Sequence, residues 1–156
     1  MSRITEVSDN GVNFIKGFEG YESKPYLCPA GYPTIGWGTI LYPDGKRVTM
    51  SDKECTPEEA EKWLRFEISS KAKQVDAMTV DSINQNQFDA LVSFAYNLGA
   101  TALRNSTLLS LVNKNPNNPD IALEFKKWNK YRKNGKLVPS PGLTRRRKEE
   151  IEMYFK

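Results

Sequence analysis

Glu19, Cys28 and Thr34 fall at the spacing E-x8-C-x5-T inside "FEGYESKPYLCPAGYPTIGWGT", residues 18–39, a stretch crowded with Gly, Pro and aromatics. A carboxylic acid, a thiol and a hydroxyl so spaced suit bond cleavage that needs an acid on one face and a water-activating or charge-holding group on the other. Burial beside aromatics such as Phe18 would keep Glu19 protonated near neutrality, and a neighbouring arginine would push it the other way.

Each of these residues also has an ordinary reading. A glutamate at a helix end is commonly a solvated charge. A lone cysteine is commonly a small buried hydrophobe, which is how Cys55 is read. Thr34 fits a strand on propensity alone. Gly36 and Gly38 read as backbone devices for a tight bend, and Trp37 reads as lobe core ahead of a sugar platform. The spacing of the three together is what turns the reading toward chemistry.

The elements that must position them follow from period and punctuation. In "SDNGVNFIKGFEG", Ser8 or Asp9 can cap a short helix carrying Val12, Phe14, Ile15 and Phe18, with Glu19 at its terminus. Residues 21–55 break into short apolar runs separated by Pro, Gly and the turn-like "PDGK", which predicts a small β-hairpin lobe. "CTPEEAEKWLRF" then opens a long amphipathic helix, with Thr56, Pro57 and Glu59 in capping positions. "NQFDALVSFAYNLG", 86–99, is apolar nearly all round and predicts a central buried helix stopped at Gly99. Short helices are expected in "STLLSLVNK" and "NPDIALEFKKW", a polar loop over 129–141, and a closing amphipathic helix with Leu143, Arg147, Ile151 and Tyr154 on one side. The "RRRK" run at 145–148 reads as a solvated face.

A chain of 156 residues with 38% apolar and 27% charged residues can bury one core. No secretory signal and no membrane span is visible, so synthesis in a cytoplasm without membrane insertion is expected. Two cysteines make no disulfide framework, and a reducing compartment would keep both as thiols. The net charge of +4 favours anionic partners. Glu149, Glu150 and Glu152 directly after "RRRK" argue against a nucleic-acid stripe. With no histidine, Ser/His hydrolysis is excluded and a zinc amidase or peptidase is disfavoured; no P-loop run is present.

The E-x8-C-x5-T set between "GFEG" and "TIGWGT", together with "NQFDALVSFAYNLG" and "GLTRRRKEE" in order along the chain, resembles the phage-type lysozymes, the endolysin or muramidase class of glycoside hydrolase family 24. That family carries Glu, then Asp or Cys, then Thr at these spacings. The resemblance implies an α+β, predominantly helical fold in a single lysozyme-like domain: an N-terminal helix (1–20), a small β-lobe (21–55) and a larger helical lobe (56–156) across a cleft. It implies hydrolysis of the β-1,4 bond between N-acetylmuramic acid and N-acetylglucosamine in peptidoglycan, with no cofactor and no metal. Glu19 would be the general acid, Cys28 and Thr34 would hold the opposite face, and Asn97 and Arg146 would support substrate or acid. Which arginine of 145–147 serves Glu19 stays open, as does inversion against retention, with inversion favoured by resemblance only.

Cys28 is the accepted variant of an Asp. A thiol of ordinary pKa, about 8.5, is mostly neutral at pH 7. Either Cys28 ionises locally and polarises water, or Thr34 and bound water do more of the positioning. A monomer is expected, made in the host cytoplasm and reaching the wall after a separate holin-type protein opens the membrane. The rival readings are a lytic transglycosylase on the same bond, a catalytically silent peptidoglycan-binding module and, more distantly, a nucleic-acid binder.

Overall fold

The structure, a computed structural model, describes residues 4–156. The chain forms two compact units, one of residues up to Gly11 together with Lys71–Lys156, the other Val12–Ser70. The division falls within the first helix, α1 (Asp9–Lys16), and within the second, α2 (Pro57–Met78). Among the described residues, no helix is long and apolar enough to cross a membrane.

In the Val12–Ser70 unit, Val12 and Ile15 of α1 are buried, and the half-buried rings of Phe14 and Phe18 meet edge to face at 5.1 Å. Two strands follow, β1 (Glu22–Leu27) and β2 (Pro33–Gly36), paired antiparallel with Tyr26 opposite Thr34 and Leu27 opposite Pro33. The register is irregular between Glu22 and Tyr26. That is where Pro25 interrupts the ladder, having no N–H to donate. Isolated bridges, Ile35 with Thr39 and Leu41 with Arg47, continue the expected β-lobe. Its core is Ile35, Val48, Cys55 and Ala60, with Tyr21, Trp37, Tyr42 and Trp63 packed against it. Cys55 is therefore a small buried hydrophobe, and Trp37 works as lobe packing.

The start of α2 is built as its sequence suggests: Thr56 N–H donates to Glu59 Oε1 (3.0 Å) and Glu59 N–H to Thr56 Oγ1 (3.2 Å). This reciprocal pair satisfies two of the N–H groups a helix start leaves unpaired.

The other unit is organised on α3 (Gln85–Leu98), capped by Asn84 and Gln87 and buried from Gln87 through Ala95. It packs on α4 (Ala100–Arg104) and α7 (Pro141–Tyr154); α5 (Thr107–Lys114) and α6 (Ile121–Lys126) complete the layer. Aromatic rings run through its core, Phe94 to Phe125 at 5.8 Å and to Trp128 at 5.4 Å, then Phe125 to Tyr154 at 5.8 Å. Asp89, 1% exposed, ties the N-terminal segment to α3 by accepting from Ser8 N–H (3.2 Å), Ser8 Oγ (2.5 Å) and Gln85 Nε2 (2.8 Å). Ser8 Oγ also accepts from Gly11 N–H (3.0 Å) and so caps α1.

Two expectations are corrected here. The segment 129–141 is not a polar loop: β3 (Lys130–Lys133) and β4 (Lys136–Pro139) form an antiparallel hairpin with Lys133 opposite Lys136. Its two-residue turn is Asn134-Gly135, both at positive φ (52° and 79°), the geometry that matches the natural twist of paired strands. Nor is the "RRRK" run a solvated face, because Arg146 and Arg147 are 5% and 1% exposed. The buried side of α7 is Arg146, Arg147, Glu150, Met153 and Tyr154.

Candidate active site

Glu19 lies three residues beyond α1, in a turn where Phe18 N–H donates to Ile15 O (3.1 Å) and Glu19 N–H to Lys16 O (3.0 Å). Those bonds let the chain leave the helix without stranding its last carbonyls. The half-buried Glu19 carboxyl lies against Gly38, in the turn after β2: a Cβ built on Gly38 would stand 2.7 Å from Glu19 Oε2 and 3.3 Å from its Cδ. Gly38 also has φ +85°. A side chain here would both strain the backbone and displace the carboxyl, so glycine is what admits Glu19.

Cys28 follows β1 in a tight loop in which Cys28 N–H donates to Tyr32 O (3.0 Å) and Gly31 N–H to Cys28 O (2.8 Å). Its thiol is turned into the concave side of this loop. The Tyr32 N–H pulls its pKa below the ordinary thiol value; partial burial opposes this, and the Thr34 hydroxyl and the Ala30 and Gly31 N–H groups add to the lowering. Successive N–H groups around a small concavity stabilise an anion. The loop thus stabilises the thiolate form of Cys28 relative to a free thiol.

Thr34 is 3% exposed on β2, and its Oγ1 donates to Tyr32 O at 2.9 Å as well as meeting the thiol. The structure therefore brings the Thr34 hydroxyl within electrostatic reach of the Cys28 thiol. Tyr26 faces Thr34 across the strands. Its phenol is pushed up, first by burial and then by the charges of Glu19, Cys28 and Glu22, so it lies within electrostatic reach of both the acid and the thiol. Tyr26 and Gly38 join the candidate site by their contacts with Glu19 and Cys28, and spacing alone did not reveal them. The signal for Tyr26 is the cross-strand register with Thr34, and for Gly38 it is the second glycine of "IGWG".

Asn97 and Arg146 belong to the helical unit. Asn97 Oδ1 accepts from Arg147 Nη2 at 2.7 Å. Arg146 Nη2 donates to the Ser93 carbonyl (3.2 Å) and hydroxyl (3.3 Å), and its Nε to Glu150 Oε2 (3.4 Å). Arg147 Nε stands 2.7 Å from Glu150 Oε1 off the hydrogen-bonding direction, an ionic contact that leaves both atoms without a formal bond. Glu150 is wholly buried; burial pushes its carboxyl up while Arg147, the Ser93 hydroxyl and Arg146 pull it down. Two guanidiniums around one carboxylate make a paired, internal charge cluster. Among the described residues, no three His, Cys, Asp or Glu side chains converge so as to hold a metal ion.

A mainly helical unit and a separate unit with a small two-stranded sheet are the elements of a lysozyme-like fold. The Phage lysozyme family model matches residues 16–150. Among similar proteins, the endolysin of Acyrthosiphon pisum secondary endosymbiont phage 1 is 36% identical over 148 residues, 95% of this chain and 97% of that one. The endolysin of Bacillus phage B103 is 39% identical over 149 residues, but the chain spans only 54% of that longer protein. The solved endolysin from Escherichia coli O157:H7 phage FAHEc1 superposes with a TM-score of 0.90 at 40% identity, covering 97% of this chain and 94% of that one. The chain belongs to the phage lysozyme family and is an enzyme of the lysozyme class.

Proposed function

We propose that this enzyme hydrolyses the β-1,4 bond between N-acetylmuramic acid and N-acetylglucosamine in bacterial peptidoglycan, with Glu19 as general acid and Cys28 and Thr34 on the opposite face. The supporting observation is the loop whose N–H groups lower the Cys28 thiol beside Thr34, with Tyr26, opposite Thr34 in the strand pair, within reach of both Glu19 and Cys28. Glu19 gives its proton to the departing glycosidic oxygen as the sugar develops oxocarbenium character. The Cys28 thiolate takes a proton from a water held beside Thr34, and that water attacks the anomeric carbon from the far face. This water-mediated course inverts the anomeric centre. Exchange with solvent then returns the proton to Glu19 and removes it from Cys28.

Asn97 and Arg146 take supporting roles on the strength of the resemblance, Arg146 as part of the cluster with Ser93 and Glu150. The biological setting that fits is an endolysin made in a host cytoplasm, which degrades the wall and lyses the cell once a separate holin-type protein has opened the membrane.

The test is turbidity loss of permeabilised bacterial cells. Wild type should clear the suspension and Glu19→Gln should not. Cys28→Asp should clear it within several-fold of wild type, and Cys28→Ala should be slower by roughly 10²-fold, the low end of a lost acid-base group. A wall-binding module would sediment with the cells and clear nothing. Wild-type rates in Cys28→Ala would remove the thiol from the reaction.

A further inference from the structure

Three tyrosines of this chain commit their hydroxyl hydrogens inside the protein. Tyr21 donates to Cys55 O (3.5 Å), Tyr42 to Asp52 Oδ2 (2.6 Å) and Tyr154 to Pro116 O (2.7 Å). Tyr26 differs from all three: its hydroxyl makes no hydrogen bond among the described residues. Nor does its ring join Tyr21, Trp37, Tyr42 and Trp63, the aromatics packed on the core of the β-lobe. Yet Tyr26 is half-buried. A phenol removed from bulk water normally finds a partner for its hydrogen, so the partner of Tyr26 is to be sought in what the site binds.

The strand pairing and the hydrogen-bond inventory say what that partner is. Tyr26 stands opposite Thr34 in the β1–β2 pair, so the two side chains share one face of the hairpin. Burial, then the charges of Glu19, Cys28 and Glu22, push its phenol up, so it keeps its hydrogen to donate. Thr34 has a single hydroxyl hydrogen and gives it to Tyr32 O at 2.9 Å, so toward a water it only accepts. A thiolate at Cys28 also only accepts. Of the N–H groups in the Cys28 loop, that of Gly31 goes to Cys28 O and that of Tyr32 serves the thiol. A water lying between Thr34 and Cys28 can therefore give one hydrogen to each, but neither of them offers a donor to its oxygen.

We infer that Tyr26 is a further catalytic residue, whose hydroxyl holds the oxygen of the attacking water across the strand pair from Thr34. This rests on the roles proposed above for Cys28 and Thr34. The water's hydrogens point to Thr34 Oγ1 and to the Cys28 sulfur, Tyr26 donates to one lone pair, and the other lone pair is left for the anomeric carbon. Orienting a nucleophile in this way removes rotational freedom before the reaction begins. Tyr26 transfers no proton. As the new C–O bond forms, the water's hydrogen passes to the Cys28 sulfur, while the glycosidic bond breaks onto the oxygen that Glu19 protonates. A neutral phenol fits this task because it fixes the oxygen without the charge that would draw electron density from it.

The experiment is steady-state kinetics of the full chain on soluble peptidoglycan fragments across pH, for wild type, Tyr26→Phe, Cys28→Ala and the double variant. Tyr26→Phe keeps the ring and deletes only the donor. It should lower kcat by about tenfold, the upper range of one hydrogen bond, with KM, the melting temperature and both limbs of the pH profile where wild type has them. In the Cys28→Ala background the same change should cost clearly less, about twofold, because the water has already lost one of its anchors. Wild-type kcat in Tyr26→Phe beside a slow Cys28→Ala would overturn this inference alone. So would a full tenfold loss in both backgrounds, which would make the two residues independent, or a shifted pH limb, which would have the phenol serve Glu19 or the thiol in place of the water. A raised KM or lowered melting temperature with kcat unchanged would make Tyr26 a binding or packing residue. Wild-type rates in Cys28→Ala would overturn the role of the thiol and this inference with it.

Discussion

Glu19 and Glu150 are both carboxylates, one in each compact unit, and the structure treats them oppositely. Glu150 is sealed: wholly buried, contacted by two guanidiniums and a serine hydroxyl, with no room for a substrate. Glu19 is half-buried and stands against a glycine whose missing side chain leaves its oxygens space. Pairing within the core makes Glu150 a structural group, whereas Glu19, half-buried against Gly38, is the group proposed as the acid. A buried ion pair contributes little net stability while intact, yet breaking it leaves an uncompensated charge. The two residues should therefore fail in different assays.

The largest effect expected is on activity. Glu19→Gln should lower the rate on purified peptidoglycan by at least about 10³-fold while moving the melting temperature much less than Glu150→Ala does. A melting temperature that fell in step with the rate would make Glu19 structural and erase the contrast. Glu150→Ala should do the reverse, destabilising by about 3–5 kcal/mol, because Arg146 and Arg147 would stay buried without their partner. Thermal denaturation should register this as a drop of roughly 10 °C for a chain of this size, and an unchanged melting curve would show that the cluster is not held as described.

Gly38→Ala sharpens the comparison from the side of space. The positive φ of 85° and the 2.7 Å approach of a Cβ to Glu19 Oε2 should together cost about 1–2 kcal/mol of stability. Steady-state kinetics at a temperature where the variant is folded should also show a reduced kcat, because the carboxyl is moved. Normal kcat would mean the glycine serves the backbone alone.

The smallest effect is a shift in titration between two thiols. Cys28 is pulled down, chiefly by the Tyr32 N–H, and Cys55 is pushed up by burial. Since the thiolate is the reactive form, iodoacetamide labelling of Cys28 should have a pH midpoint below the ordinary ~8.5 and that of Cys55 a midpoint above it. Mass mapping of the labelled peptides reads both. Coincident midpoints would contradict the loop's preference for a thiolate.

Much of this was legible in the sequence where local rules act alone. The Thr56–Glu59 cap, the all-round apolar pattern of α3 and the broken apolar runs of the β-lobe each announce an element from neighbouring residues. The hairpin at 130–139 was also announced, by Asn-Gly at 134–135. Its strands alternate no apolar residues with polar ones, having no core to face, so the period that marks a strand was missing. The burial of Arg146 and Arg147 was hidden for another reason. A run of cations reads as surface unless its partners are known, and though Glu150 sits at helical spacing from both, Ser93 comes from a distant helix. Likewise, E-x8-C-x5-T marked three residues of the candidate site, but Tyr26 enters it only through strand register and Gly38 only through the approach of Glu19's carboxyl.

The most direct test of the central claim, that Glu19 drives hydrolysis of the glycan, is mass spectrometry of the soluble fragments released from purified peptidoglycan by wild type and by Glu19→Gln. Fragments ending in reducing N-acetylmuramic acid from wild type, and none from the variant, are the result predicted. Anhydro-muramic ends, which mark a transglycosylase, or the same reducing fragments from both proteins would contradict it.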